Sequence, residues 1–286
     1  MKFVAIGNIS IDYLQDSQFA GGSVLQSSLL ASKLGLKSSA ITSFGKDFQK
    51  LKQNWQNVQV YPQLSPFSTT VGLIYDEKGN RRVIIKKEGG VISEKLLPKE
   101  VSDADIIFIC PIVHEISSDL VSFIARTNKK ALIVVTPQGW LRDWKKEGDA
   151  ISQKPWSNAK EILSHTDILS ISEEDIQENK SVLNLYKDFI KQGGIIIVTQ
   201  GSKGAIAYRR QKLISSKAYP TKAIDPTGAG DIFAASFAIA WRETASLEKS
   251  LRFANVAASF IIEGIGVSNM PTRPQIRSRS NKIQFV

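Results

Sequence analysis

Apolar and polar residues along this chain fall into blocks with two different periods. The opening run Phe3-Val4-Ala5-Ile6 closes on Gly7-Asn8, which predicts a first strand. Residues 23–34 repeat their apolar positions at helical spacing and stop at Gly35, a residue suited to a C-cap. A strand follows at 39–43. Thr69–Tyr75 and residues 82–85 read as a strand pair about Asp76-Glu77-Lys78-Gly79-Asn80, a glycine-containing turn. From Asp105 onward short β-branched runs alternate with helical patterns: 106–110, a helix near 119–128, Leu132–Val135, 168–171, a helix over 182–192, and Ile195–Thr199. Runs that are apolar throughout suit a parallel sheet covered on both faces, so the layout predicts a doubly wound α/β fold. No repeat, low-complexity tract or linker divides the chain, and residues 1–286 read as a single domain.

Residues 232–241, Ile-Phe-Ala-Ala-Ser-Phe-Ala-Ile-Ala-Trp, are apolar nearly all round and carry no ionisable group, the pattern of a helix buried inside a larger protein. The turn before it, Asp225-Pro226-Thr227-Gly228-Ala229-Gly230-Asp231, is the most informative stretch. A helix start leaves N–H groups unpaired and carries partial positive charge, which makes it a ready anion site. Gly228, Ala229 and Gly230 are small enough for a phosphate to approach those N–H groups. Asp231 beside them could accept a proton from a hydroxyl. Taken alone, Thr227 and Asp231 would serve equally well as caps of a core helix.

Composition narrows the classes. With 42% hydrophobic and 22% charged residues the chain is ordinarily globular, and no run approaches a membrane span. The single cysteine, Cys110, excludes an internal disulfide, and two histidines leave no Cys/His metal site; both features fit the cytoplasm. Cys110 ends an apolar strand and reads as a buried, inert thiol. The formal charge of +10 raises nucleic acid as a partner, but the basic residues sit in scattered pairs without a single stripe. A solvated basic surface, or a field that attracts an anionic nucleotide, accounts for them, and no nucleic-acid or membrane partner is expected. Gly7-Asn8-Ile9-Ser10-Ile11-Asp12 has one glycine where a dinucleotide site needs three, and Gly45-Lys46 lacks the rest of a Walker loop.

The turn at 225–231 resembles the signature of the ribokinase-type (PfkB) carbohydrate kinases, Asp-x-x-Gly-Ala-Gly-Asp leading into a small-residue helix. Weaker agreements follow the family's order along nearly the whole chain. The resemblance implies a ribokinase-like fold with a small β lid, its segments near 9–20 and 61–88. It implies Asp231 as catalytic base and Gly228, Ala229 and Gly230 as the anion hole. Asn8 and Asp12 match the segment that grips acceptor hydroxyls, although Asp12 alone reads as a surface turn. Gly21-Gly22 matches the glycine pair before the first helix, and Gln26 stands where many members place Asn. Gly45-Lys46-Asp47 resembles the Gly-x-Asp after the next strand. Thr136-Pro137-Gln138-Gly139-Trp140-Leu141-Arg142 is similar to the inositol-kinase-like branch and puts Gln138 and Arg142 at the acceptor, where Arg142 could instead make a surface salt bridge.

On the donor side, Thr199, Gly201 and Gly204 resemble a Thr-x-Gly-x-x-Gly nucleotide loop, which would also suit a hairpin. Ala254-Asn255, in a last helix over 247–263, falls where the family lines the adenine pocket; close helix packing explains the same residues. Asp175 matches the acidic member of the Asn-x-x-Glu motif that positions magnesium through water, while Ser172 with Asp175 also makes nearly a capping box. The resemblance therefore implies an ATP- and Mg2+-dependent kinase acting on a small sugar or polyol, myo-inositol, hexose or pentose. It leaves a homodimer through the lid as the candidate assembly. A nucleoside kinase of the same family, and a non-catalytic nucleotide- or sugar-binding regulator on this fold, remain as alternatives.

Overall fold

Successive residues of the first strand face different cores: Phe3 and Ala5 belong to one buried cluster, Val4 and Ile6 to another. The same division separates Ile106 and Phe108 from Ile107 and Ile109. Strands apolar on both faces need cover on both. The computed structural model, which describes residues 1–14, 17–51, 55, 57–75 and 81–282, supplies it.

In chain order the strands are β1 (Lys2–Ile6), β2 (Ser10–Leu14), β3 (Ser17–Gly21), β4 (Lys37–Phe44), β5 (Val58–Leu64), β6 (Thr69–Tyr75), β7 (Arg81–Lys87), β8 (Ile106–Ile109), β9 (Leu132–Val135), β10 (Arg142–Asp143), β11 (Ser152–Gln153), β12 (Ile168–Ser172), β13 (Ile195–Thr199), β14 (Ala205–Arg209) and β15 (Lys212–Ser216). The α-helices are α1 (Ser23–Lys33), α2 (Ser118–Thr127), α3 (Gln138–Leu141), α4 (Ala159–Leu163), α5 (Glu173–Glu178), α6 (Leu183–Lys191), α7 (Ala229–Thr244), α8 (Leu247–Ile261) and α9 (Arg273–Asn281).

Among the described residues, nine strands form one sheet in the order β15-β14-β13-β12-β9-β8-β1-β4-β5. Neighbours from β13 to β5 are parallel, and β14–β15 is an antiparallel hairpin added at one edge. Residues of α1, α7 and α8 share the first core, and residues of α2, α4 and α6 the second. This is the doubly wound layout that the alternation of runs predicts. The buried helix expected at 232–241 is α7, which packs against α1, α8 and the middle of the sheet; residues 232–240 are buried.

A second sheet, β3-β2-β6-β7, stands over the carboxyl ends of the main strands, with β2 and β6 parallel. It differs from the expected lid at one boundary. Residues 61–64 end β5, which pairs in parallel with β4 as an edge of the main sheet, because Val58 and its neighbours continue the core there. Residues 15–16 of the first lid segment and the turn expected at 76–80 lie outside the described residues. The β10–β11 hairpin has no counterpart among the elements that periodicity predicts. The loop between its two strands bonds to the lid, Ile151 N–H donating to Val83 O at 2.8 Å and Gly148 N–H to Ile85 O at 2.7 Å. Trp144 and Ile151 close a small apolar core with Val71, Leu73, Val83 and Ile85 under the lid. No helix among the described residues is long and apolar enough to cross a membrane.

Candidate active site

The first turn of α7 lies where the loops after β1, β8 and β9 meet. Gly228 is its N-cap, in the left-handed region at φ 81°, and a Cβ there would land inside the side-chain amide of Gln26. Only glycine suits both constraints. Thr227 N–H donates to Asp225 Oδ1 at 2.9 Å and Ala229 N–H to Pro226 O at 3.2 Å, so the turn is tied internally before the helix begins. The N–H groups of Gly230 and Asp231 come next, at the positive end of the helix dipole.

Asp231 projects into a cavity of about 100 Å³ whose lining includes Ser10, Asp12, Gly22, Ser23, Gln26, Gln138, Arg142 and Gly228. Val71, Leu73 and Val83 of the lid and Ile112 give it an apolar wall. Burial pushes the Asp231 carboxyl above its ordinary value, opposed by a hydrogen bond from Ser23 and the charge of Arg142. A carboxylate so placed is a stronger base than one in water, which suits proton removal near neutral pH. Ser10 Oγ donates to Asp12 Oδ1 at 2.6 Å, and Arg142 Nη1 to Ile112 O at 2.9 Å. Gln26 is 4% exposed and its Oε1 has no hydrogen-bond partner in the protein, so a ligand in the cavity would find it available.

Ala229 and Gly230, on the other side of the same turn, line a larger cavity of about 720 Å³. Thr199, Gly201, Gly204 and Asn255 line it too, so the donor-side residues expected from the sequence come together. Asn255 Nδ2 donates to Ser216 O at 3.2 Å and Oγ at 2.9 Å, which pins α8 to the end of β15. Tyr219, Phe233, Ala258 and Ile262 supply apolar surface, and Lys203 and Lys217 supply charge. One wall is braced from α9. Arg279 donates to Glu263 Oε1 at 3.0 Å and Oε2 at 2.8 Å and to Ser259 Oγ at 2.9 Å. Its guanidinium lies 3.4 Å from the Phe260 ring centroid and 5.1 Å from that of Tyr219.

Three expected residues stand apart from both cavities' linings. Asn8 is fully buried, with Nδ2 donating to Gly90 O at 2.9 Å and Oδ1 accepting from Ser43 N–H at 3.2 Å. Its amide is spent inside the protein, where it fixes the loop that carries Ser10 and Asp12. Gly21 closes β3 opposite Ser10. Asp175 lies in the first turn of α5, which Ser172 caps: Asp175 N–H donates to Ser172 Oγ at 3.0 Å, Ser172 Oγ donates to Asp175 Oδ2 at 2.8 Å, and Gln153 Nε2 to Oδ1 at 2.7 Å. Among the described residues no cluster of three His, Cys, Asp or Glu could hold a metal ion.

The structure adds residues that the pattern does not single out. Ser10 and Ser23 reach the small cavity, and the buried Glu115 accepts from the N–H groups of Asn8 at 2.8 Å and of Ile112 and Val113 at 2.9 Å. Glu115 thus ties the loop after β1 to the loop after β8. Nothing local in the sequence marks Ser23 or Glu115, because their partners are remote along the chain or are backbone groups.

The chain matches the pfkB family carbohydrate kinases over residues 10–273. It is 27% identical to a nucleoside kinase of Methanocaldococcus jannaschii over 288 residues, 96% of this chain and 90% of that protein. A pyrophosphate-dependent kinase in the ribokinase family, solved with a pyrophosphate analog and myo-inositol, superposes with a TM-score of 0.77 at 19% identity, covering 96% of this chain and 99% of that one. Arabidopsis thaliana ribokinase with ribose and ATP superposes at 0.73 with 22% identity, covering 97% and 98%. The match spans the lid, the small cavity, the turn at the start of α7 and the larger cavity's lining, and on that ground the chain belongs to the pfkB family of carbohydrate kinases.

Proposed function

We propose that the chain transfers the γ-phosphoryl group of ATP to a hydroxyl of a small cyclic polyol or monosaccharide. One observation carries this reading: the first turn of α7 is a wall shared by two cavities, with Asp231 facing the small one and Ala229 and Gly230 facing the large one. An acceptor hydroxyl held by Asp12, Gln26, Gln138 and Arg142 gives its proton to Asp231 as its oxygen bonds to the γ-phosphorus. The bond from that phosphorus to the oxygen left on ADP breaks, and the helix-start N–H groups hold the charge that builds on the equatorial oxygens. The lid closes the acceptor side with aliphatic side chains, which keeps water from competing with the acceptor.

Cavity size and lining support the choice of substrates. About 720 Å³ with apolar surface suits a purine nucleotide, much of which a pyrophosphate donor would leave unfilled. About 100 Å³ on the other side suits a single ring bearing hydroxyls better than a nucleoside with its base. Magnesium bound with the nucleotide would neutralise phosphate charge. Asp175 stands outside both cavity linings and both its oxygens already accept hydrogen bonds within the protein, so any contact of this residue with such an ion would run through water. The cytoplasm, where ATP is supplied, is the compartment this chemistry fits.

Purified protein assayed for ADP and for phosphate release, with ATP or pyrophosphate against myo-inositol, ribose, fructose, adenosine and cytidine, tests the reading. Turnover is expected with ATP and with a polyol or monosaccharide. A higher kcat/KM for a nucleoside than for every sugar and polyol, or for pyrophosphate than for ATP, would contradict it. Nucleotide binding without turnover of any acceptor would leave the regulator reading instead.

Arg279 gives a second, local test. Arg279→Met keeps much of the stem's bulk but removes the fork on Glu263 and the contacts to Tyr219 and Phe260. The KM for ATP is expected to rise roughly 10-fold, the equivalent of one hydrogen bond to a charged group, with the acceptor KM unchanged. An unaltered KM for ATP would show that α9 does not support the nucleotide wall.

A further inference from the structure

Ser23 is the first residue of α1 and is 3% exposed. A serine at a helix start commonly turns its hydroxyl to its own backbone. Here it does otherwise: Ser23 Oγ donates to Asp231 Oδ1 at 2.6 Å, across 208 positions of sequence. The approach depends on Gly22, which has φ 95° and whose Cβ, were there one, would stand 2.7 Å from Asn8 O. The chain can therefore fold back on the loop after β1 and start α1 beside the start of α7. Both Ser23 and Asp231 line the small cavity.

We propose that Ser23 is a positioning residue for phosphoryl transfer: its hydroxyl holds Oδ1 of Asp231, fixes the plane of the carboxylate, and leaves Oδ2 as the oxygen that receives the acceptor's proton. This rests on Asp231 acting as the base. The bond survives the reaction, because a protonated carboxyl carrying its proton on Oδ2 still accepts at Oδ1. Among the described residues, the other ionisable groups around the carboxylate are Arg142 and Asp12, from the two sides of the cavity, and the buried thiol of Cys110 just after β8. The hydrogen bond from Ser23 and the charge of Arg142 favour the ionised form of Asp231, against its burial.

The test compares Ser23→Ala, Ser23→Thr, Asp231→Asn and the double variant Ser23→Ala with Asp231→Asn, in the full chain with ATP and whichever acceptor turns over best. Ser23→Ala is expected to lower kcat roughly 10-fold or more, as for a lost hydrogen bond to a charged group. It should also move the acidic limb of the kcat/KM profile to higher pH and leave the KM for ATP unchanged. Ser23→Thr, which keeps the hydroxyl, is expected to recover both the rate and the limb. The double variant should be no slower than Asp231→Asn alone, since Ser23 acts through the carboxylate. An unshifted acidic limb in Ser23→Ala, a Ser23→Thr variant as slow as Ser23→Ala, or a further loss in the double variant would each overturn the assignment. If Ser23→Ala does not fold, Ser23→Thr decides it against the native protein: a folded Ser23→Thr variant that loses kcat roughly 10-fold overturns the assignment. Turnover retained in Asp231→Asn sinks the base itself; an inactive Asp231→Asn beside a normal Ser23→Ala sinks only the role of Ser23.

Discussion

Asp231→Asn is expected to lose turnover by roughly 10²- to 10⁴-fold, the usual contribution of a positioned proton acceptor, while ATP still binds. The same variant is expected to melt at a higher temperature than the native protein at pH 7 to 8. The reason is the direction in which burial moves this carboxyl. Its value in the folded chain is raised, so above the ordinary carboxylate range the folded state carries a charge that it holds less favourably than the unfolded chain does. Asparagine removes that charge, and the hydroxyl of Ser23 can donate to its Oδ1 as it does to the carboxylate. As pH falls below the ordinary carboxylate range both states of the native protein are protonated, and the difference in melting temperature should shrink towards zero. Melting curves from about pH 3 to pH 8, set beside single-turnover rates, check both parts. A native protein more stable than Asp231→Asn at every pH would mean that the carboxylate is held by its neighbours rather than exposed to reaction.

Gly228→Ala should damage the site almost as severely, for a different reason. The added methyl must displace the amide of Gln26, and the residue must stay at φ 81°, where a side chain costs roughly 1–2 kcal/mol. The helix start would then shift relative to the acceptor cavity, and loss of one oriented donor lowers kcat by about 10²- to 10³-fold in comparable sites. Gly230→Ala is the control within the same turn: nothing lies within 4 Å of the Cβ position and its φ is ordinary. That variant is expected to fold with undiminished stability. Any loss in its activity should appear as weaker nucleotide binding, because Gly230 lines the larger cavity. Kinetics of the two variants side by side would refute this account if Gly228→Ala kept near-native kcat.

Much of the fold and of the site is legible in the order of the residues. The short runs apolar on both faces force a covered parallel sheet, and the uncharged run after Asp231 forces a buried helix. That helix start, with small residues and a carboxylate, is a local device, so the turn at 225–231 can be read from its own residues. Asp12, Gln26, Gln138 and Arg142 are expected at an acceptor from the family resemblance, and these four line one cavity with Asp231. Sequence does not show that Asn8 spends its amide on Gly90 and Ser43, or that Asp175 has both oxygens engaged. Side-chain hydrogen bonding is settled by neighbours that no period or motif identifies. The hairpin β10–β11 escapes prediction because each strand is two residues long, too short for alternation to register.

What the sequence determined by itself is the middle strands of the main sheet, the long buried helices and the chemical character of one turn, since these follow from local periodicity and from the conformations that glycine allows. Only the tertiary structure decided which residues share a cavity, that Ser23 meets Asp231, and that Gly228 and Gly230, alike in the motif, differ in what a methyl would strike. Those outcomes depend on distances between elements far apart in the chain, and such distances are fixed by packing of the two cores, which is a property of the whole molecule.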